Sequence, residues 1–326
     1  MTSLMAPDAR TLFERANGRR ILVIGDLMLD EWIWGTVTRI SPEAPVPVVA
    51  VVDHSFTLGG AGNVAHNLRA LRANVVFAGS VGDDDFGTHV RRLLSEQNVD
   101  ASGVVTLRDR PTTRKTRVVA HNQQVVRADW ESTAPLDGAD RARVAAFVRE
   151  HAALCDAVIL SDYAKGLLSR EIVEAASRCP LVLADPKPLN VSLLRNVTCV
   201  APNASEASLM TGIPIVDDAS LEAAGVRLIE MLDCRYAVVT RGEHGMSLFG
   251  RNGERLTIPS VARTVYDVSG AGDTVIAMLA LALAAGAPIE RAMQLANFAA
   301  GVVVEKLGTA TASPEEIVAL VEPAAT

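Results

Sequence analysis

Residues Asp267 to Gly286 read DVSGAGDTVIAMLALALAAG. Gly270, Ala271 and Gly272 open a long apolar helix, and so small a turn lets backbone N–H groups and the positive helix end face an anion. Asp273 falls in the same first turn. A carboxylate there could simply cap a buried helix. A cap does not need three tiny residues ahead of it, however, whereas an anion hole beside a carboxylate suits phosphoryl transfer. It supplies donors for the migrating group and a base for the attacking hydroxyl.

Such a turn works only if other elements bring partners to it. Apolar runs recur between helix-period segments: ILVIGD (21–26), VVFAG (75–79), AVILSD (157–162), LVLADP (181–186), TCVAPN (198–203) and YAVVTRG (236–242). Strands apolar on both faces that alternate with helices predict an α/β fold with a mainly parallel sheet. Several end in Asp, Asn or Thr, and the ligand site of an open α/β sheet lies beyond the carboxyl ends of its strands. Two stretches break the rhythm. Residues 30–56, with Pro42, Pro45 and Pro47, and residues 104–128 have short β-branched runs without helical period, which predicts antiparallel strands of a small inserted sheet. No repeat or linker divides the chain, so residues 1–326 are expected to form one domain with a β-sheet lid.

Composition narrows the partners. Lys plus Arg number 31 against 38 Asp plus Glu, a formal net charge of −7, which argues against nonspecific binding to nucleic acid or an anionic membrane and for a small-molecule ligand. The four cysteines, Cys155, Cys179, Cys199 and Cys234, form no CxxC pair and read as buried thiols of a reducing compartment. The N-terminus lacks the apolar core of a signal peptide, and the apolar run Val275–Ala285 is too short to span a bilayer, so a soluble cytoplasmic protein is expected. No lysine follows a glycine, which excludes a P-loop, and no HExxH or Cys/His cluster suggests a catalytic transition metal.

SGAGDT together with GGAGNVAHNL (59–68) resembles the two signatures of the ribokinase, or PfkB, family of carbohydrate kinases. The blocks GDLMLDEWIWG, RISPEAPVPVV, HNQQ, LSDYAKG, TRGEHGMSL and AAGVVVEKLGT are similar to the branch of that family acting on heptose 7-phosphate, over about residues 20–315. The resemblance implies a ribokinase-like fold and ATP-dependent transfer to the anomeric hydroxyl of D-glycero-β-D-manno-heptose 7-phosphate. The product would be the 1,7-bisphosphate used in ADP-heptose synthesis for lipopolysaccharide core. It makes Asp273 the base and the amides of Gly270, Ala271 and Gly272 the anion hole. Members are often fused to a nucleotidyltransferase domain. No HxGH occurs here, so that step is expected from another protein.

The same resemblance makes Asp26 a sugar ligand. Asp26 and Asp30 lie at and just past a strand end, where carboxylates can accept from sugar hydroxyls or merely sit in a solvated turn. Gly59 and Gly60 let a sugar approach the backbone, and Asn63 adds an amide. Asn203 and Glu206 form N-x-x-E, matching the family's element that organises Mg²⁺ through waters; the pair also fits a capping box. Thr240, Gly242, Gly245 and Asn297 are expected beside ATP. Lys165, Lys187 and Arg117 are candidate cations for phosphate, though lysines are often just solvated and Arg117 could serve only to keep a strand soluble. Asp267 and Ser269 match positions near a K⁺ site. The lid could double as a homodimer surface. Alternatives are a kinase for another sugar or sugar phosphate, and a noncatalytic sugar or nucleotide sensor, against which the intact Gly270–Asp273 turn speaks.

Overall fold

Runs of Val, Ile and Leu without polar alternation are stable as strands only where both sheet faces are covered. In the computed structural model, which describes residues 4–321 apart from 122 and 263, these runs supply the middle of the fold. The strands are β1 (Arg20–Gly25), β2 (Leu27–Ile40), β3 (Pro47–Gly60), β4 (Asn74–Gly82), β5 (Asp100–Leu107), β6 (Arg114–Ala120) and β7 (Gln123–Trp130). They continue with β8 (Ala157–Ser161), β9 (Val182–Asp185), β10 (Cys199–Val200), β11 (Tyr236–Thr240), β12 (Met246–Gly250) and β13 (Arg255–Ile258).

Nine of them form one sheet in the order β13-β12-β11-β10-β9-β8-β1-β4-β5, in which only β12 runs against the rest, antiparallel to both β11 and β13. Side chains alternate between two apolar layers. Ile21, Val23 and Ile159 join one layer with the helices Ala271–Ala284 and Ile289–Val304, while Leu22, Ile24 and Leu160 join the other with the helices Gly138–His151 and Asp218–Leu232. The chain winds from β1 through β4 to β5 on one side and from β8 to β11 on the other. The order therefore reverses between β1 and β8, where a crevice opens beyond the strand ends. The TCVAPN run yields only Cys199–Val200 as strand, because Pro202 has no N–H to give and Asn203 already caps the next helix. All four cysteines are buried and unbridged. Among the described residues no helix is long and apolar enough to cross a membrane.

The small sheet has the order β3-β2-β6-β7. It departs from the expected form in two ways. β5, which takes in residues 104–107, belongs to the main sheet, so the second lid hairpin begins only at Arg114. The central pair β2–β6 is parallel, not antiparallel. The cause is topological: β2 continues β1, and β6 follows β5, so both leave the carboxyl edge of one parallel sheet in the same direction. Asn122, in the HNQQ block, lies outside the described residues.

The lid is tied down at its hinges. Thr112 N–H and its hydroxyl donate to Asp84 at 2.9 and 2.7 Å, and Gly82 N–H donates to the Thr112 hydroxyl at 2.9 Å. The Arg110 guanidinium donates to the carbonyls of Ser132, Ala134 and Lys165. One side chain thus joins the segment entering the lid, the segment leaving it and the loop after β8.

Phe77, on β4, is fully buried in the middle of the sheet. Phe77→Ala should destabilise the fold by about 3–5 kcal/mol through lost burial and a cavity. Urea unfolding checks this as a lowered midpoint with an unchanged slope.

Candidate active site

The turn before the helix Ala271–Ala284 requires glycine at position 270. Its φ is +79°, and a Cβ there would lie 2.5 Å from Asn63 Nδ2. The first helix-closing bond runs from Thr274 N–H to Gly270 O at 3.0 Å, so the amides of Gly272 and Asp273 precede the helical ladder. Of the three amides expected to form an anion hole, that of Ala271 is engaged, donating to Val268 O at 3.2 Å. No heavy atom would lie within 4 Å of a Cβ at Gly272, so the helix end opens on free space.

Asp273 is 6% exposed. Its Oδ2 accepts from Asn63 Nδ2 at 2.8 Å and its Oδ1 from the Tyr163 hydroxyl at 2.6 Å. Burial pushes its carboxyl up to about 6, against the opposing pull of the Tyr163 and Asn63 hydrogen bonds and the Lys187 charge. Asn63 comes from the helix Ala61–Ala70, and a second polar link between the two helices runs from the Thr274 hydroxyl to Asn67 Oδ1 at 2.8 Å.

The loops after β8 and β9 bring further groups. Burial raises the Asp185 carboxyl well above its ordinary value, with the charge of Asp273 adding to the effect. Lys187 Nζ pairs with Glu206 and lies 5.4 Å from the Tyr163 ring centroid. The Lys187 charge also acts on Asp273. Asn203 and Glu206 form a reciprocal capping box at 2.9 and 3.0 Å, which places the Glu206 carboxylate between its own helix start and Lys187.

Asp26 accepts three backbone amides of the loop after β8: Tyr163 at 2.9 Å, Lys165 at 3.1 Å and Leu167 at 3.2 Å. These bonds brace that loop. Asp30, equally buried, lies over Gly59, where a Cβ would come 2.3 Å from Asp30 Oδ2. Gly60, at φ +56°, lets β3 turn into the helix beside Asp26 O.

The cations of the lid and of the loop after β8 already have partners. Arg117 donates to Asp30 at 2.6 Å and lies 4.9 Å from the Trp32 ring centroid. Lys165 pairs with Glu131 at 2.7 Å, and Lys115 with Asp129 at 2.9 Å. An incoming dianion would have to share these cations with carboxylates.

On the other side of Asp273 lies a groove of about 590 Å³, lined among others by Thr240, Gly242, Gly245, Gly272, Asn297 and Gly301. Gly245 has φ +79°, and a Cβ there would strike Ile258 O at 2.1 Å. Asn297 Nδ2 donates to Pro259 O at 2.8 Å, tying the helix Ile289–Val304 to the loop after β13. Asp267 accepts from the amides of Ser269 at 2.8 Å and Gly308 at 3.1 Å, and these bonds hold its carboxyl low although burial would raise it. It shapes the loop that leads into the Gly270 turn.

Sequence reasoning missed Tyr163, Asp162 and Asp185. All three sit in strand-end motifs, D-Y-A-K-G and D-P-K-P, whose lysines drew the attention. Strand-end position was the available signal; nothing in the motifs shows that the tyrosine reaches a carboxylate 110 residues away.

Residues 19–316 match the pfkB family carbohydrate kinase. The bifunctional protein HldE of Trichlorobacter lovleyi is 47% identical over 316 residues, covering 95% of this chain and 64% of that protein. HldE of Geobacter sulfurreducens is 46% identical with the same coverage. The chain therefore spans 64% of the length of these relatives. Among solved structures, Arabidopsis thaliana ribokinase complexed with ribose and ATP aligns with a TM-score of 0.75 at 19% identity, over 94% of this chain and 100% of that one. Escherichia coli phosphofructokinase-2 in complex with substrates and products gives 0.77 at 18% identity, over 93% and 98%. These two share the ribokinase-like fold. With a family match across nearly the whole chain and relatives close to half identical, this chain belongs to the pfkB family of carbohydrate kinases.

Proposed function

We propose that this kinase transfers the γ-phosphoryl of ATP to the anomeric C1 hydroxyl of D-glycero-β-D-manno-heptose 7-phosphate. The 1,7-bisphosphate formed would enter cytoplasmic ADP-heptose synthesis for lipopolysaccharide core. The observation that carries this reading is the Asp273 carboxylate, fixed by Tyr163 and Asn63 at a helix end between the 590 Å³ groove and the lid. Similarity to HldE over nearly the whole chain supports the choice of sugar.

In this reading Asp273 takes the proton of the C1 hydroxyl as that oxygen attacks in line. The amides of Gly270 and Gly272, with the helix dipole behind them, face the charge on the migrating phosphoryl. Thr240, Gly242, Gly245 and Asn297 border ATP in the groove. On the sugar side stand Asp30, Gly59, Gly60 and Asn63, with Arg117 and Lys165 set toward the 7-phosphate. Mg²⁺ would arrive with ATP and offset phosphate charge. Glu206 fits an outer-sphere role through water: one of its oxygens accepts the Asn203 amide and the other pairs with Lys187, which holds the carboxylate in place. Asp267 and Ser269 would border a K⁺ ion beneath the turn. We further propose one kinase domain with the small sheet as its lid. A second copy would cover Val51, Val52 and Val126, which stand 59%, 72% and 51% exposed on that sheet.

Three outcomes test this reading. Asp273→Asn, which keeps shape but loses the proton acceptor, should lower kcat by roughly 10²–10⁴. The wild-type pH profile follows from the same group: with its carboxyl raised to about 6, Asp273 is a carboxylate above that pH and is protonated below it. Turnover should therefore fall about tenfold per pH unit on the acid side, as read by ADP release. Near wild-type turnover in the Asn variant with its fold intact would remove Asp273 as the base.

Arg117→Ala and Lys165→Ala should each raise KM for the sugar phosphate by roughly 5- to 150-fold, the equivalent of about 1–3 kcal/mol for a charged hydrogen bond. KM for ATP should stay put, because the groove lies on the other side of Asp273. Equal use of dephosphorylated heptose would contradict the assignment of these cations. Light scattering at micromolar concentration should give the mass of two chains, and a monomer would refute the lid dimer.

A further inference from the structure

Six residues after β8, Asp162 to Leu167, are held far more tightly than a connection to the helix Arg170–Ala176 requires. Asp26 accepts the amides of Tyr163, Lys165 and Leu167. Asp162 accepts the amide of Ala164 at 2.8 Å, the side chain of Asn190 at 3.0 Å and the amide of Lys187 at 3.2 Å. The Lys165 carbonyl is fixed by Arg110. Ala164 sits at φ +55°, a conformation that an L residue keeps only where its surroundings impose it. Gly166, at φ +87°, packs so closely on the lid hinge that a Cβ would come 2.1 Å from Ala134 O.

What this loop delivers to the cleft is one phenol. The Tyr163 hydroxyl meets Asp273 Oδ1 at 2.6 Å while Asn63 meets Oδ2 at 2.8 Å, so the carboxylate is gripped from two sides and its plane is set. A carboxylate has about four acceptor positions, so two donors leave lone pairs for a third partner. Burial and the neighbouring charges of Asp273 and Asp185 raise the phenol well above its ordinary range, which keeps it a neutral donor. We propose that Tyr163 is a positioning residue for phosphoryl transfer. Its tethered hydroxyl holds Asp273 in the orientation that points a lone pair at the acceptor hydroxyl, and helps keep it ionised.

The proposal rests on Asp273 being the base. The groups that face Asp273 are Tyr163 after β8, Asp185 and Lys187 around the end of β9, Asn63 from the helix Ala61–Ala70 and Asp30 from β2. Burial and the carboxylate of Asp30 oppose ionisation, while Tyr163, Asn63 and Lys187 favour it. Removing the phenol hydroxyl weakens only the favouring side, so the proton should bind Asp273 more readily.

The test compares Tyr163→Phe with wild type and with Asp273→Asn across pH 5 to 9, using ADP release with saturating heptose 7-phosphate. In Tyr163→Phe the acid limb of kcat should move up by about one pH unit, and kcat at pH 7 should fall roughly 5- to 50-fold. KM for ATP should change less than about twofold, and much of the turnover should return at pH 9. An acid limb at its wild-type position overturns the proposal, whatever the size of the kcat change. If Asp273→Asn is inactive while Tyr163→Phe keeps the wild-type limb, only the role of Tyr163 fails. If Asp273→Asn turns over normally, the base assignment itself fails.

Discussion

The arrangement depends on keeping one carboxylate ionised where water barely reaches it. Burying a charge costs several kcal/mol unless hydrogen bonds and a favourable field replace its hydration. For Asp273 these come from three parts of the fold: the helix end it sits on, Asn63 from an earlier helix, and Tyr163 from the loop after β8. The last two come from segments 110 or more residues away, so the site depends on the sheet order that brings β1 and β8 together at its switch point. The balance is incomplete, which leaves the carboxyl at about 6.

The same economy runs through the surrounding charges. In a chain with an excess of acidic residues, the cleft holds few cations, and each is set against a carboxylate: Lys187 with Glu206, Arg117 with Asp30, Lys165 with Glu131. Such pairs hold side chains in place before any ligand arrives, at the cost of a carboxylate that an anion must approach. They also divide the cleft. Lys187 stands beside Tyr163 and Asp185, whereas Arg117 lies on the lid strand β6 beside Trp32, and Lys165, in the loop after β8, pairs with Glu131 just past the end of β7.

The lid is mechanically part of this network. Its parallel central pair follows from both strands leaving the same sheet edge, and Arg110 joins its two hinges to the Tyr163 loop. Asp26 braces that loop from the end of β1. The elements that would shield the acceptor sugar and those that orient Asp273 are therefore mechanically linked.

Local composition by itself determined much of this protein. Unbroken runs such as ILVIG and AVILS, bounded by turn residues, read as strands covered on both faces, and Gly270, Ala271 and Gly272 ahead of an apolar helix mark a turn that larger residues could not make, so the α/β class, the small inserted sheet and the Gly270–Asp273 turn were legible. The Asn203–Glu206 box was legible too, because its partners lie three residues apart. Only the tertiary structure decided that Asp26 braces a loop while Asp30 pairs with Arg117, that Tyr163 reaches Asp273, that Lys187 pairs with Glu206, and that β2 and β6 run parallel. Those outcomes turn on which of several nearby polar groups meet across 19 to 137 residues, and in a buried site each donor goes to whichever acceptor the packing places within hydrogen-bond reach, a matter no short motif encodes.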